Sequence, residues 1–163
     1  MPTPPSAAAA KQSLTEHVSA KGIEIFVKYG PQIGWDELQR LLADRAYVRY
    51  PCEIVFAAAR LQAGEFAHPE PRGSTPEEGF TMYVHPVFRA APACVPPLVL
   101  YQLVAVNYGD FASADEAECF GAAALGLTRD EYYAMICELA DRLPGDEATE
   151  APSAGCAGAG SSG

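Results

Sequence analysis

The sequence predicts an α+β domain, a small and mostly antiparallel three-stranded sheet packed against helices in the order α-α-β-β-β-α-α-α. Three observations predict it. Polar capping signatures open helices near both ends of the chain. Alternating apolar stretches fill the middle, and a Pro/Gly-rich segment separates two of them.

Each element has its own signal. Ser13-Leu14-Thr15-Glu16 is a capping box, in which hydroxyl and carboxylate satisfy backbone N–H groups reciprocally. It predicts a first helix carrying Leu14, Val18, Ile25 and Phe26 toward Gly30-Pro31, with Gly22 as its weak point. A second helix is expected over 35–45, with Trp35, Leu38, Leu41 and Leu42 on one face. Residues 48–56 alternate as a strand does, and Pro51 suits a strand start or an edge. Residues 60–67 are expected to pair back on that strand or to continue it past a bend. The stretch 69–79 holds three prolines and two glycines and predicts a loop. A strand over 80–85 would place Phe80, Met82 and Val84 on one face and Thr81, Tyr83 and His85 on the other.

The last third is helical. Pro96-Pro97 suits a first turn, and 98–106 is apolar nearly all round, as the most buried helix should be. Asn107 and Gly109 can end it. Ser113-Ala114-Asp115-Glu116 is a second capping box, opening a helix whose Ala and Gly residues allow close packing. Thr128-Arg129-Asp130-Glu131 is a third, opening a helix with Tyr132, Ile136, Leu139 and Leu143 inward and Pro144 as its stop.

One folded domain is expected over 13–144, between a disordered Pro/Ala-rich segment at 1–12 and a disordered Gly/Ala/Ser tail at 145–163. The 163 residues are 49% apolar and 20% charged, the balance of a globular protein. A net charge of −10, from 21 acidic and 11 basic residues, disfavours nucleic acid and anionic membranes as partners. No Lys, Arg or His lies between Arg89 and Arg129, so the central helices offer a phosphate no cation. Cys52, Cys94, Cys119, Cys137 and Cys156 are odd in number and show no C-x-x-C spacing. Reduced thiols are therefore expected, rather than a disulfide framework or a zinc ribbon. No basic leader and no apolar run of ~18 residues is present, which makes the cytoplasm the expected location.

No G-x-S-x-G, G-x-x-x-x-G-K-[ST] or G-x-G-x-x-G stretch occurs. His68-Pro69 and His85-Pro86 flank one loop, where two imidazoles and an acid such as Glu118 could share a metal. The bland alternative makes both histidines polar loop-edge residues. Asn107-Tyr108-Gly109-Asp110 is either a site at the end of a buried helix or its cap and turn. Tyr101 and Gln102 interrupt an apolar helix. A buried Gln must find partners or cost about 1–3 kcal/mol, so Gln102 either braces a neighbouring strand or faces a cavity.

The most informative segment is 95–127, VPPLVLYQLVAVNYGDFASADEAECFGAAALGL. It resembles the heart of small zincin-type metallopeptidases, in which an apolar helix carries H-E-x-x-H and a following Ala-rich helix supplies a glutamate. In such a helix two His at i and i+4 share a face, and the Glu between them activates metal-bound water. The matching positions here are Tyr101-Gln102-Leu103-Val104-Ala105, so neither His is present and Gln102 replaces the base. Glu118 matches the third ligand. The resemblance implies a pseudoenzyme, a zincin-like domain without a cofactor that binds a protein partner or a second copy of itself. Its pocket would hold His85, Tyr101, Gln102, Asn107, Tyr108 and Glu118. Gln102 would then point toward the strand at 80–87, near Glu118 and His85. The enzyme alternative is a metal-dependent hydrolase with a non-standard site of His68, His85 and Glu118.

Overall fold

The structure, a computed structural model, describes residues 7–109 and 112–144. The expected tails at 1–6 and 145–163, Cys156 and Asp110 lie outside the described residues. The described elements are α1 (Ala7–Tyr29), α2 (Trp35–Leu42), β1 (Cys52–Phe56), β2 (Ala67–Pro71), β3 (Phe80–Val84), α3 (Val95–Tyr108), α4 (Ala114–Leu125) and α5 (Arg129–Ala140). The class is α+β, as expected. The sheet runs β1-β3-β2 and is mixed, because β3 pairs in parallel with β1 and antiparallel with β2.

α1 starts at Ala7, upstream of the capping box expected at Ser13. Four consecutive alanines, the best helix formers, extend it backward. Lys11 Nζ and Thr15 Oγ1 then fix the added turn on α4, each donating to the Glu116 carboxylate at 3.0 Å. Residues 7–12 are therefore helical rather than a disordered arm. Gly22 also has a different role from the one expected. A Cβ there would stand 2.7 Å from both the Phe120 carbonyl oxygen and Ala123 Cβ, so Gly22 lets α1 lie close against α4.

α2 ends at Leu42 rather than near Arg45, and buries Leu38, Leu41 and Leu42. Asp44 closes the turn that follows, accepting from Lys28 Nζ and Tyr29 Oη at 2.7 Å each and from Ala46 N at 3.0 Å.

The sheet holds the largest departure from expectation. Of the strand expected over 60–67 only Ala67 is in β2, and residues 69–71 of β2 lie at the start of the expected Pro-rich loop. The pairing explains how two prolines fit. Phe66 accepts from His85 N and Arg72 N donates to Gly79, each at 2.9 Å, so the even-numbered positions of β2 bond to β3. Pro69 and Pro71 are the odd ones, whose nitrogens face away from the ladder on an edge strand.

α3 packs across β2 and β3, over Met82 and Val84, and buries ten of its fourteen residues. That share exceeds those of α2, α4 and α5. Leu100 and Leu103 are fully buried there. Replacing either with Ala should lower unfolding free energy in urea by about 2–5 kcal/mol where the core cannot collapse. A loss under about 0.5 kcal/mol at both would place α3 at the surface. α4 and α5 open on their expected boxes, with Ser113 N donating to Glu116 and Thr128 N to Glu131, both at 2.8 Å. Tyr132 of α5 is fully buried against Gly121, its hydroxyl donating to the Pro97 carbonyl at 2.6 Å. Cys52, Cys94 and Cys119 are free thiols, whereas Cys137 is disulfide-bonded, which corrects the expectation of reduced thiols at that position. No helix among the described residues is long and apolar enough to cross a membrane.

Candidate functional site

The positions that α3 leaves unburied form a strip: Tyr101, Gln102, Ala105 and Tyr108. The helical period puts them together, at spacings of three and four. Part of this strip walls a cleft of about 810 Å³, opposite Leu14 of α1, Tyr50 before β1, His68 and Pro69 of β2, and Phe80 of β3. The Tyr50 and Phe80 rings lie 6.2 Å apart. None of the described lining residues is an Asp or Glu, although the chain carries 21 of them. The polar groups present are Arg49, His68, Gln102, Asn107 and the Tyr50 and Tyr108 hydroxyls. A cleft of this size and composition suits a small organic ligand.

Gln102 is half-buried in this cleft, and its amide makes no hydrogen bond to any described residue. Phe80 lines the same cleft, whereas neither Glu118 nor His85 does. Asn107 does not offer its side chain to a ligand. Its Oδ1 accepts from Arg49 N at 2.9 Å and its Nδ2 donates to the Tyr47 carbonyl at 2.7 Å, clamping the end of α3 to the segment before β1. Tyr108 stands between the Arg49 guanidinium, 4.9 Å from its ring centroid, and the His17 ring at 5.7 Å.

The other expected site residues are placed elsewhere. Tyr101 packs between Phe66 and Tyr132, with centroids at 5.9 and 6.4 Å. Burial pushes its hydroxyl pKa up, and the nearby Glu118 charge adds to the rise. Glu118 itself accepts from Arg129 Nε at 2.8 Å. His85 caps the short turn Pro86–Phe88, its Nδ1 accepting from Val87 N at 3.1 Å. His68 lies at the cleft rim, 3.9 Å from Glu65. His68, His85 and Glu118 do not assemble into a site, and no three His, Cys, Asp or Glu side chains among the described residues are grouped to hold a metal. The cleft residues that sequence missed are Leu14, Arg49 and Tyr50, together with Ala10 from the expected tail. Their only local signal was the aromatic and basic composition just ahead of Pro51.

The chain matches no protein-family model, no curated protein and no solved structure.

Proposed function

We propose that this is a non-catalytic, zincin-like domain that works by binding, with the cleft beside Gln102 as its ligand site. The observation that carries the proposal is Gln102 itself, a half-buried amide without a partner among the described residues, at the wall of an aromatic-lined cleft. An amide so placed keeps two donors and an acceptor for a ligand. The zincin-like part is supported by position, since Tyr101, Gln102 and Ala105 all fall on the strip that α3 does not bury. The hydrolase alternative lacks such support, because His85 and Glu118 are committed to Val87 and Arg129.

Neutral aromatic and heterocyclic fragments titrated into the full chain should shift the amide resonances of Gln102, Ala105 and Phe80. Ala105→Trp fills the cleft from a solvent-facing helical position, and should weaken those fragments at least about tenfold, or 1.4 kcal/mol, with little change in melting temperature. No fragment binding, or equal binding by the Trp variant, would remove the cleft as a ligand site.

A further inference from the structure

We propose that a basic recess adjoining this cleft is a binding site for a phosphate group, and that the group belongs to a small phosphate monoester whose organic part lies in the cleft. The recess has a volume of about 280 Å³ and is lined by His17 and Lys21 of α1 and by Arg45 and Arg49 of the α2–β1 connection, with Tyr47 and Tyr108 among its walls. None of its described lining residues is an Asp or Glu, on a chain of net charge −10. Elsewhere the acidic surplus is used to pair cations: Lys11 lies on Glu116, Lys28 on Asp44 and Arg129 on Glu118. Arg45 and Arg49 have no carboxylate partner among the described residues. Lys21 has Glu24 at 3.9 Å, outside the lining.

The cationic groups are also held in place. The Arg49 guanidinium stacks on Tyr108 and donates from Nη1 to the Asn107 carbonyl at 3.2 Å. Arg45 Nη1 donates to the Leu42 and Val48 carbonyls at 3.0 and 3.4 Å. Lys21 Nζ lies 5.6 Å from the Tyr47 ring centroid. Each arginine keeps further N–H donors for a ligand, and planar guanidinium forks with an ammonium beside them match the oxygens of a phosphate. Glu24 answers Lys21 alone, so the two arginines beside it repel, and a dianion relieves that repulsion. Arg49, Asn107 and Tyr108 line the recess and the cleft alike, so the two adjoin, and the proposed monoester reaches across these residues. The monoester half of the proposal rests on the cleft being a ligand site.

The test is a titration of the full chain with inorganic phosphate at constant ionic strength, with chloride as the control anion, read by amide NMR. Saturable shifts at Lys21, Arg45 and Arg49 are expected in the millimolar range, weakened at least about tenfold in Lys21→Gln and in Arg49→Gln. Lys21→Gln leaves the Asn107 contacts intact, so its melting temperature separates lost binding from lost folding. Phenyl phosphate should bind at least about tenfold more tightly than inorganic phosphate and add shifts at Gln102 and Phe80. No saturable response to phosphate, or one that both variants retain, overturns the site. Phosphate binding without tighter phenyl phosphate binding overturns the monoester half and leaves a free-phosphate site. The neutral-fragment titration judges the cleft separately in either case.

Discussion

Glu116→Ala is expected to lower the unfolding free energy by roughly 2–4 kcal/mol in urea denaturation, the largest loss expected from any polar position described here. Glu116 is the one charged side chain fully buried among the described residues. Its Oε1 accepts from Ser113 N at 2.8 Å, Ser113 Oγ at 2.6 Å and Lys11 Nζ at 3.0 Å, while Oε2 accepts from Thr15 Oγ1 at 3.0 Å. Removing the carboxylate strands donors from two helices at once. Burial alone would raise its pKa, but the hydrogen bonds from Ser113, Lys11 and Thr15 outweigh burial and hold it at about 2, below the ordinary 4.5. A depressed carboxylate stabilises the fold fully above its unfolded value and loses that contribution as pH falls through its folded value. The contribution of Glu116 is thus complete above about pH 4.5 and drains away toward pH 2, amounting to no more than about 3.5 kcal/mol. Glu116→Gln should flatten part of the acid limb of the stability profile. Asp44, held at about 2 by Lys28 and Tyr29, supplies another part and remains. An acid limb identical in Glu116→Gln and wild type would show that folding does not lower the pKa of this carboxylate.

The triple replacement Tyr101→His, Gln102→Glu and Ala105→His is expected to make the chain take up one equivalent of zinc. The two introduced imidazoles would lie one helical turn apart on the unburied strip of α3. Glu118 stands close enough to Tyr101 for its charge to act on that hydroxyl, and it would complete the ligand set on leaving Arg129. X-ray absorption should then show zinc–ligand distances of about 2.0–2.2 Å. Adding Glu118→Gln to the triple variant should weaken zinc at least about tenfold, since a neutral amide is a poor replacement for a carboxylate on a cation. A folded triple variant that takes up no zinc would remove the zincin-like layout and leave the cleft to be judged by its own ligands.

What the sequence made legible was local. The boxes at Ser113 and Thr128 bring donor and acceptor together within one turn, so reading them needs no knowledge of the fold. The burial of α3 follows from its own apolar surface. The box at Ser13 failed because a better local choice lay upstream, four alanines, and a tertiary contact through Lys11 rewarded it. β2 was unreadable for a related reason. Proline in a strand is a contradiction only until the pairing partner is known, and the partner fixes which nitrogens need bonds. At the site, Gln102 and Tyr108 could be singled out because each is odd within its own helix. The recess could not, because its basic residues come from two separate stretches, 17–21 and 45–49, which meet only when α1 lies beside the turn after α2. The negative total charge concealed a local surplus of the opposite sign.

The prolines of β2 bear on how copies of this chain can associate. Along the outward edge of that strand, Ala67, Pro69 and Pro71 supply a single N–H among three successive sites. An incoming strand would find carbonyls to donate to and almost nothing to accept from, so the sheet cannot be lengthened there and open-ended fibre growth is blocked on that side. Association through shared backbone is left to the β1 edge, and everything else must be done by side chains.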